Sequence, residues 1–241
     1  VVGEGALDAV TTGPENSAFG KDALTSLTTG QYNTAIGRQA LQSLIGSNEN
    51  TAVGNNCAAS ITTGTRNTAV GSYSLDALTG GHDNVAVGRS ALGAATSASN
   101  NGSNNIAVGS GALDANTTAS NNTAVGMNCL LTNTTGSENV AIGQAALTAN
   151  TIGNKNTALG RLSLQQNSTA DNNTALGYNS LASNTTGAVN TAVGSRSLES
   201  NTTGANNTAT GYRALGANTT ASDNTAFGFE CLVNSTTGNA N

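Results

Sequence analysis

The chain has 241 residues, of which 9% are charged and 3% aromatic; Trp is absent, Pro occurs once and the formal net charge is −5. Its 8 Lys and Arg supply no basic stripe to neutralise phosphates, which sets nucleic-acid binding aside. Its apolar runs fall far short of the roughly 20 residues that cross a bilayer, so no membrane span is expected in this segment.

Gly, Ala, Asn, Thr and Ser fill most positions, so the chain must bury small side chains in a regular way or stay disordered. Regularity is present. An Asn opens a recurring phrase at positions 16, 33, 50, 67, 84, 105, 122, 139, 156, 173, 190, 207, 224 and 241, every interval being 17 residues except one of 21. A fixed period sustained end to end is the signature of stacked repeats. It predicts a single continuous array over 1–241: a partial first coil at 1–15, full coils from 16, four extra residues within 97–104 ("SASNNGSN"), and another coil opening at 241. Helix is ruled out, because no apolar spacing of three to four residues persists and Gly recurs too often.

We number each opening Asn as slot 1, so that "NTAVGSRSLESNTTGAN" (190–206) is one coil. Slots 1 to 5 alternate small and larger residues and end on an unvarying Gly (Gly20, Gly37 through Gly228), which predicts a short strand closed by a residue of positive φ or very close backbone approach. Slot 8 is small and slot 9 is Leu apart from Ala58; with the Thr-rich slots 13 and 14 they predict a second short strand over slots 8 to 14. Two strands and two turns describe one coil of an all-β parallel β-solenoid, or β-roll, of about fourteen 17-residue coils. The slot 1 Asn column is then an amide ladder along the axis.

Slot 3 is Ala in every full copy and slot 4 is almost always Val, Ile, Leu or Phe. Placing slots 2 and 4 inside turns the Ala column outward. An unvarying small residue there suits close packing against another chain, most simply in three rods about a common axis.

The strand phrases "NTAIG", "NTAVG" and "NVAIG", each followed by a small residue and Leu, resemble the head repeat of trimeric autotransporter adhesins, in which an Asn-Ser-Val-Ala-Ile-Gly phrase recurs. They are also similar to repeats of phage-type tail fibres. The resemblance covers the whole chain and implies a left-handed parallel β-roll, a homotrimer, and an extracellular, cell-surface or virion location. It implies a structural, non-catalytic fibre segment of an adhesin, tail fibre or surface filament, a stiff rod for attachment.

Farther along the chain, slot 12 changes from apolar (Val10, Leu27, Leu44, Ile61, Leu78, then Ala95) to Asn (Asn116, Asn133, Asn150, Asn167, Asn184, Asn201, Asn218). Either the core changes from aliphatic to an Asn ladder across the long copy, or these Asn decorate the surface. The second option arises because eleven Asn-x-Ser/Thr sequons occur, at Asn101, Asn116, Asn121, Asn133, Asn167, Asn172, Asn184, Asn201, Asn206, Asn218 and Asn234. These are candidate N-glycosylation sites in a secreted chain. An Asn stacked inward cannot carry a glycan.

The sequence offers little chemistry. Cys57, Cys129 and Cys231 all fall in slot 8, where other copies have Ala or Ser, and so read as small core residues. His82 is the only histidine, and the 13 carboxylates form no repeated pair. No catalytic, metal or cofactor site is expected. Slot 6 carries Tyr178, Tyr212 and Phe229, candidate contacts for sugar rings of a cell-surface glycan. The Thr pairs at slots 13 and 14 suggest an ice-binding surface. A ligand-binding solenoid, for glycan or ice, is therefore the alternative to the fibre.

Overall fold

In a computed structural model of the chain, residues 2–93 and 101–238 are described. Within the predicted insertion, 97–100 lie outside the described residues. The chain forms two compact units, Val1–Asn121 and Asn122–Asn241. The first holds β1 (Ser17–Phe19), β2 (Thr34–Ile36), β3 (Thr51–Val53), β4 (Thr68–Val70), β5 (Val85–Val87) and β6 (Ile106–Val108). The second holds β7 (Thr123–Val125), β8 (Val140–Ile142), β9 (Thr157–Leu159), β10 (Thr174–Leu176), β11 (Thr191–Val193), β12 (Thr208–Thr210) and β13 (Thr225–Phe227).

In each unit successive strands pair in parallel, like slot against like: Thr34 with Thr51, Ala35 with Ala52, Ile36 with Val53. This is a parallel β-solenoid of 17-residue coils. The thirteen strands among the described residues bring the coil count slightly below the expected fourteen. The long copy keeps the register, since Val85 still faces Ile106.

Each coil has one strand rather than two. Slots 6 to 11 are turns and slots 13 and 14 are bends, so the predicted second strand does not form. The cause is backbone handedness. Slots 7, 9 and 17 take positive φ in coil after coil, as in Asp22 (57°), Leu24 (52°) and Tyr32 (59°). A left-handed Leu costs on the order of 1 kcal/mol, and nothing in the residue type announces it. The conformation instead aims its amides at neighbouring coils: Leu24 N donates to Ala40 O (3.0 Å) and Asp22 N to Glu4 O (2.9 Å). Backbone groups that a second strand would have paired are thus satisfied by turns stacked on turns.

The core is narrow. Slot 3 Ala, the small slot 8 residue, slot 9 Leu, slot 1 Asn and slot 12 fill it, and Ala35, Leu41, Asn33 and Leu44 are all fully buried. The facing walls meet, since Ser74 Oγ at slot 8 donates to Ala86 O at slot 3 of the next coil (3.0 Å). The expected orientation of the strand is therefore reversed: Ala points in, while slots 2 and 4 point out. Between walls this close only a methyl fits, which is why slot 3 never varies. The Ala column cannot be the contact with another chain.

The slot 1 ladder forms as expected. Asn50 Nδ2 and backbone N both donate to Asn33 Oδ1 (3.2 and 3.0 Å), and Nδ2 also donates to Gly64 O at the end of its own coil (2.9 Å). Each amide therefore ties a coil to its neighbour and closes its own loop. Asn105 reaches Asn84 in the same way, across the long copy.

Slot 12 resolves into the core alternative. Leu27, Leu44, Ile61 and Leu78 are buried in the first unit, and in the second a second amide ladder replaces them. Asn184 Nδ2 donates to Asn167 Oδ1 and to Gly187 O (both 2.9 Å), and Asn201 Nδ2 to Asn184 Oδ1 and Gly204 O (both 2.9 Å). Ala95 lies outside the described residues.

Candidate interaction face

With Ala inward, β1 to β6 and β7 to β13 each present two outward columns, within which successive residues lie one coil spacing, about 4.8 Å, apart. Slot 2 is mostly Thr. Slot 4 is aliphatic or aromatic apart from Thr210 and runs from half-buried, as at Val53 and Leu176, to well exposed, as at Phe19 (58%), Ile36 (44%) and Leu159 (43%). The face has no charge. All 8 Lys and Arg and all 13 Asp and Glu of the chain fall at slots 6, 7, 10, 16 and 17, on the turns and the corner beside them. Exposed aliphatic rows without interspersed charge are uncommon on a surface that meets only water.

The hydroxyls divide the two Thr-rich surfaces. At slot 13 they are spent on the stack: Thr28 Oγ1 donates to Ile45 O (2.9 Å), Thr185 to Thr202 O (3.0 Å) and Thr202 to Thr219 O (3.0 Å). At slot 2 the side chains of Thr51, Thr68, Thr174, Thr191 and Thr208 make no hydrogen bond among the described residues. Slot 13 Thr is therefore explained by the coil itself. Slot 2 Thr is not.

The sequons separate by burial. Asn116, Asn133, Asn167, Asn184, Asn201 and Asn218 are at most 1% exposed in the slot 12 ladder. Their amides face the core, so the folded chain has no room for glycans there, and the surface-decoration alternative is withdrawn for these six. Asn101, Asn121, Asn172, Asn206 and Asn234 are exposed. Three of these, Asn121, Asn172 and Asn206, sit at slot 17 with positive φ.

Among the slot 6 aromatics, Tyr212 and Phe229 stack on each other at 5.4 Å and 17°. Tyr178 stands apart and carries the Arg161 guanidinium over its ring at 5.8 Å. The three therefore do not form one platform.

Titratable groups serve the turns. Arg66 donates two hydrogen bonds to Asp83 of the next coil (2.7 and 2.9 Å), holding the Asp83 carboxyl below its usual range, and Thr65 N donates to His82 Nδ1 (3.1 Å). Burial pushes the Cys57 thiol up to about 12 and Cys129 to about 11. Both are buried slot 8 residues, and Cys129 Sγ lies 2.7 Å from Gly143 O. No cluster of three or more His, Cys, Asp or Glu able to hold a metal occurs among the described residues.

Asp76 is the most perturbed carboxyl, raised to about 6 by burial first and by the charge of Asp114 second. A folded pKa above the unfolded 3.8 means that its contribution is fully present below pH ~4 and is lost as pH rises through ~6. Asp76→Asn is therefore expected to stabilise the chain at pH 7 by about 1 kcal/mol, the side chain being only half-buried and partly screened, and to change nothing at pH 4. Thermal melts of both chains at the two pH values check this.

A scan against protein-family models, a search of curated proteins and a search of solved structures each found no significant match.

Proposed function

We propose that this chain is a structural, non-catalytic segment of an extracellular fibre, of the kind found in adhesins, tail fibres and surface filaments. Copies of it associate through the strand face, most simply as a homotrimer. The observation that carries this proposal is the outward pair of columns at slots 2 and 4, aliphatic and hydroxyl-bearing along most strands and uncharged along every one. Covering that face removes exposed Val, Ile, Leu and Phe from water, at about 25 cal/mol per Å². Three copies around an axis cover it completely. The function follows mechanically: amide ladders and stacked turns make each coil depend on its neighbours, and association through the face adds stiffness, so the segment resists bending and proteolysis and carries a binding element away from its anchor.

Leu176→Glu combined with Val193→Glu tests the interface. Both side chains point out of the sheet, so the circular-dichroism spectrum is expected to stay that of the parent. The species seen by sedimentation is expected to fall from a small integer multiple of 23.6 kDa to one chain. A folded parent that sediments as a monomer would remove the proposal.

A further inference from the structure

Asn101 is the one Asn of the chain that is followed by Gly. Counted back from Asn105 it stands at slot 14 of the long copy, where most coils carry Thr, and Gly102 stands at slot 15. Asn-Gly has a chemistry that Thr-Gly lacks. A backbone amide nitrogen can attack the side-chain carbonyl of the Asn before it and close a succinimide ring; a Cβ on the attacking residue obstructs the approach, and glycine has none. The surroundings leave the reacting groups open. Asn101 is exposed, so water reaches its amide. Thr79 Oγ1 donates to its Oδ1 (3.4 Å), which draws electron density from Cγ and makes it more electrophilic. Gly102 N donates no hydrogen bond among the described residues, so none within the coil has to break before it attacks.

We propose that Asn101 is a site of spontaneous self-modification, passing through a succinimide to isoaspartate, and that the product opens the long coil. Hydroxide takes the Gly102 N–H proton and the nitrogen bonds to Asn101 Cγ. The Cγ–Nδ2 bond breaks, and the departing nitrogen takes a proton from water and leaves as ammonia, which regenerates hydroxide. Water then opens the ring at either carbonyl. Opening at Cγ gives aspartate; opening at the backbone carbonyl gives isoaspartate, whose main chain runs through Cβ and Cγ and is longer by one methylene. The reactants are the chain and water alone. The fold has no slack for that methylene. Gly102 O accepts from Asn84 Nδ2 (2.9 Å), the bond with which the slot 1 amide closes its own coil. Even a Cβ on Gly102 would collide with Ala119 O of the next coil and lie 2.7 Å from Asn116 Nδ2. Displacing Gly102 therefore breaks the Asn84 contact, and because Asn84 is fully buried its Nδ2 proton is left without an acceptor. The inference is independent of the fibre reading.

The test uses the full chain, made in bacterial cells so that no glycan occupies Asn101 Nδ2. It is incubated at neutral and at mildly alkaline pH, digested, and read by mass spectrometry with electron-transfer fragmentation, which separates aspartate from isoaspartate. Acid at position 101, mostly isoaspartate, is expected to accumulate ahead of acid at every other Asn, at a rate that rises with hydroxide concentration. The aged chain is expected to melt lower than the fresh one and to lose amide-exchange protection on the coils opened by Asn84 and Asn105. Asn101→Thr, which installs the residue most coils carry at slot 14, is expected to keep its initial melt through the same incubation. The peptide map of the parent decides the chemistry whether or not that variant folds. An amide at 101 that survives as long as the other Asn residues overturns the site. Isoaspartate at 101 with melt and protection unchanged, or an equal loss in Asn101→Thr, overturns the opening of the coil.

Discussion

Replacing Gly177 by Ala is expected to destabilise the second unit by about 4 kcal/mol, backbone strain and steric overlap contributing comparable shares. Gly177 has φ +137°, where an L side chain is strained whatever the surrounding space. Its added methyl would also lie 2.6 Å from Gly194 O and 2.9 Å from Ser195 N. Those are backbone atoms of the next coil, and they cannot rotate away. The slot 15 glycines make the internal comparison. A methyl on Gly187 would also crowd the next coil, against Gly204 O, yet φ there is not positive, and slot 15 already holds Ala119, Ala170 and Ala221 elsewhere in the chain. Gly187→Ala, which adds the crowding without the φ strain, is accordingly expected to cost about 2 kcal/mol. Urea denaturation of the two variants beside the parent measures the difference. Equal losses would mean that crowding, and not φ, fixes the slot 5 glycine.

Much of this architecture is legible in the sequence because a solenoid writes each constraint thirteen times. The period, the slot 5 Gly and the slot 1 Asn ladder are each forced by contact between a residue and its own equivalent one coil away, and such contacts leave an unvarying column. The inward and outward faces of the strand were harder. A three-residue strand offers only two phases, and hydrophobicity alone puts Val and Ile inside. The informative signal was size. Slot 4 ranges from Val87 to Phe227 and admits Thr210, whereas slot 3 holds Ala without exception. A packed interior fixes volume and a free or mutual surface does not, so variable bulk marks the outside. The placement of charge at slots 6, 7, 10, 16 and 17 gives the same answer independently.

The left-handed turns were not legible at all. Leu is an ordinary strand or helix residue, and Leu41 (φ 50°) or Leu198 (φ 49°) carries no Gly or Asn signature. Stacking decides the conformation there: Leu198 N reaches Ala214 O (3.0 Å) only from that backbone geometry. Slot 12 lies between these cases. Asn201 could point inward to a ladder or outward to a glycan on sequence grounds, and Gly204 O decides it. The carbonyl three residues on accepts one Nδ2 proton while the preceding coil accepts the other, so the buried amide has both donors placed.

Asn173 Nδ2 donates to Gly187 O (2.9 Å), its backbone N to Asn156 Oδ1 (3.0 Å), and its own Oδ1 accepts from Asn190 N (2.9 Å) and Asn190 Nδ2 (3.2 Å). Asn173→Ala deletes that acceptor and strands two donors on Asn190, a loss of about 3 kcal/mol that should not depend on pH. Asn173→Asp keeps the acceptor and inverts the other contact, setting a buried carboxylate oxygen against Gly187 O. Only the protonated acid can donate there. The folded pKa of this Asp must therefore lie well above its unfolded value near 3.9, so stability is retained below pH ~4 and falls as pH rises through the folded pKa. Thermal melts are expected to show Asn173→Asp close to the parent at pH 3.5 and below Asn173→Ala at pH 7, where the buried charge is uncompensated. Because each coil touches only its neighbours, the damage should centre on the coils opened by Asn156, Asn173 and Asn190 and appear there as loss of amide-exchange protection. An Asn173→Asp variant that matches the parent at both pH values would show that the Gly187 contact contributes nothing, and that the ladder holds through its acceptor alone.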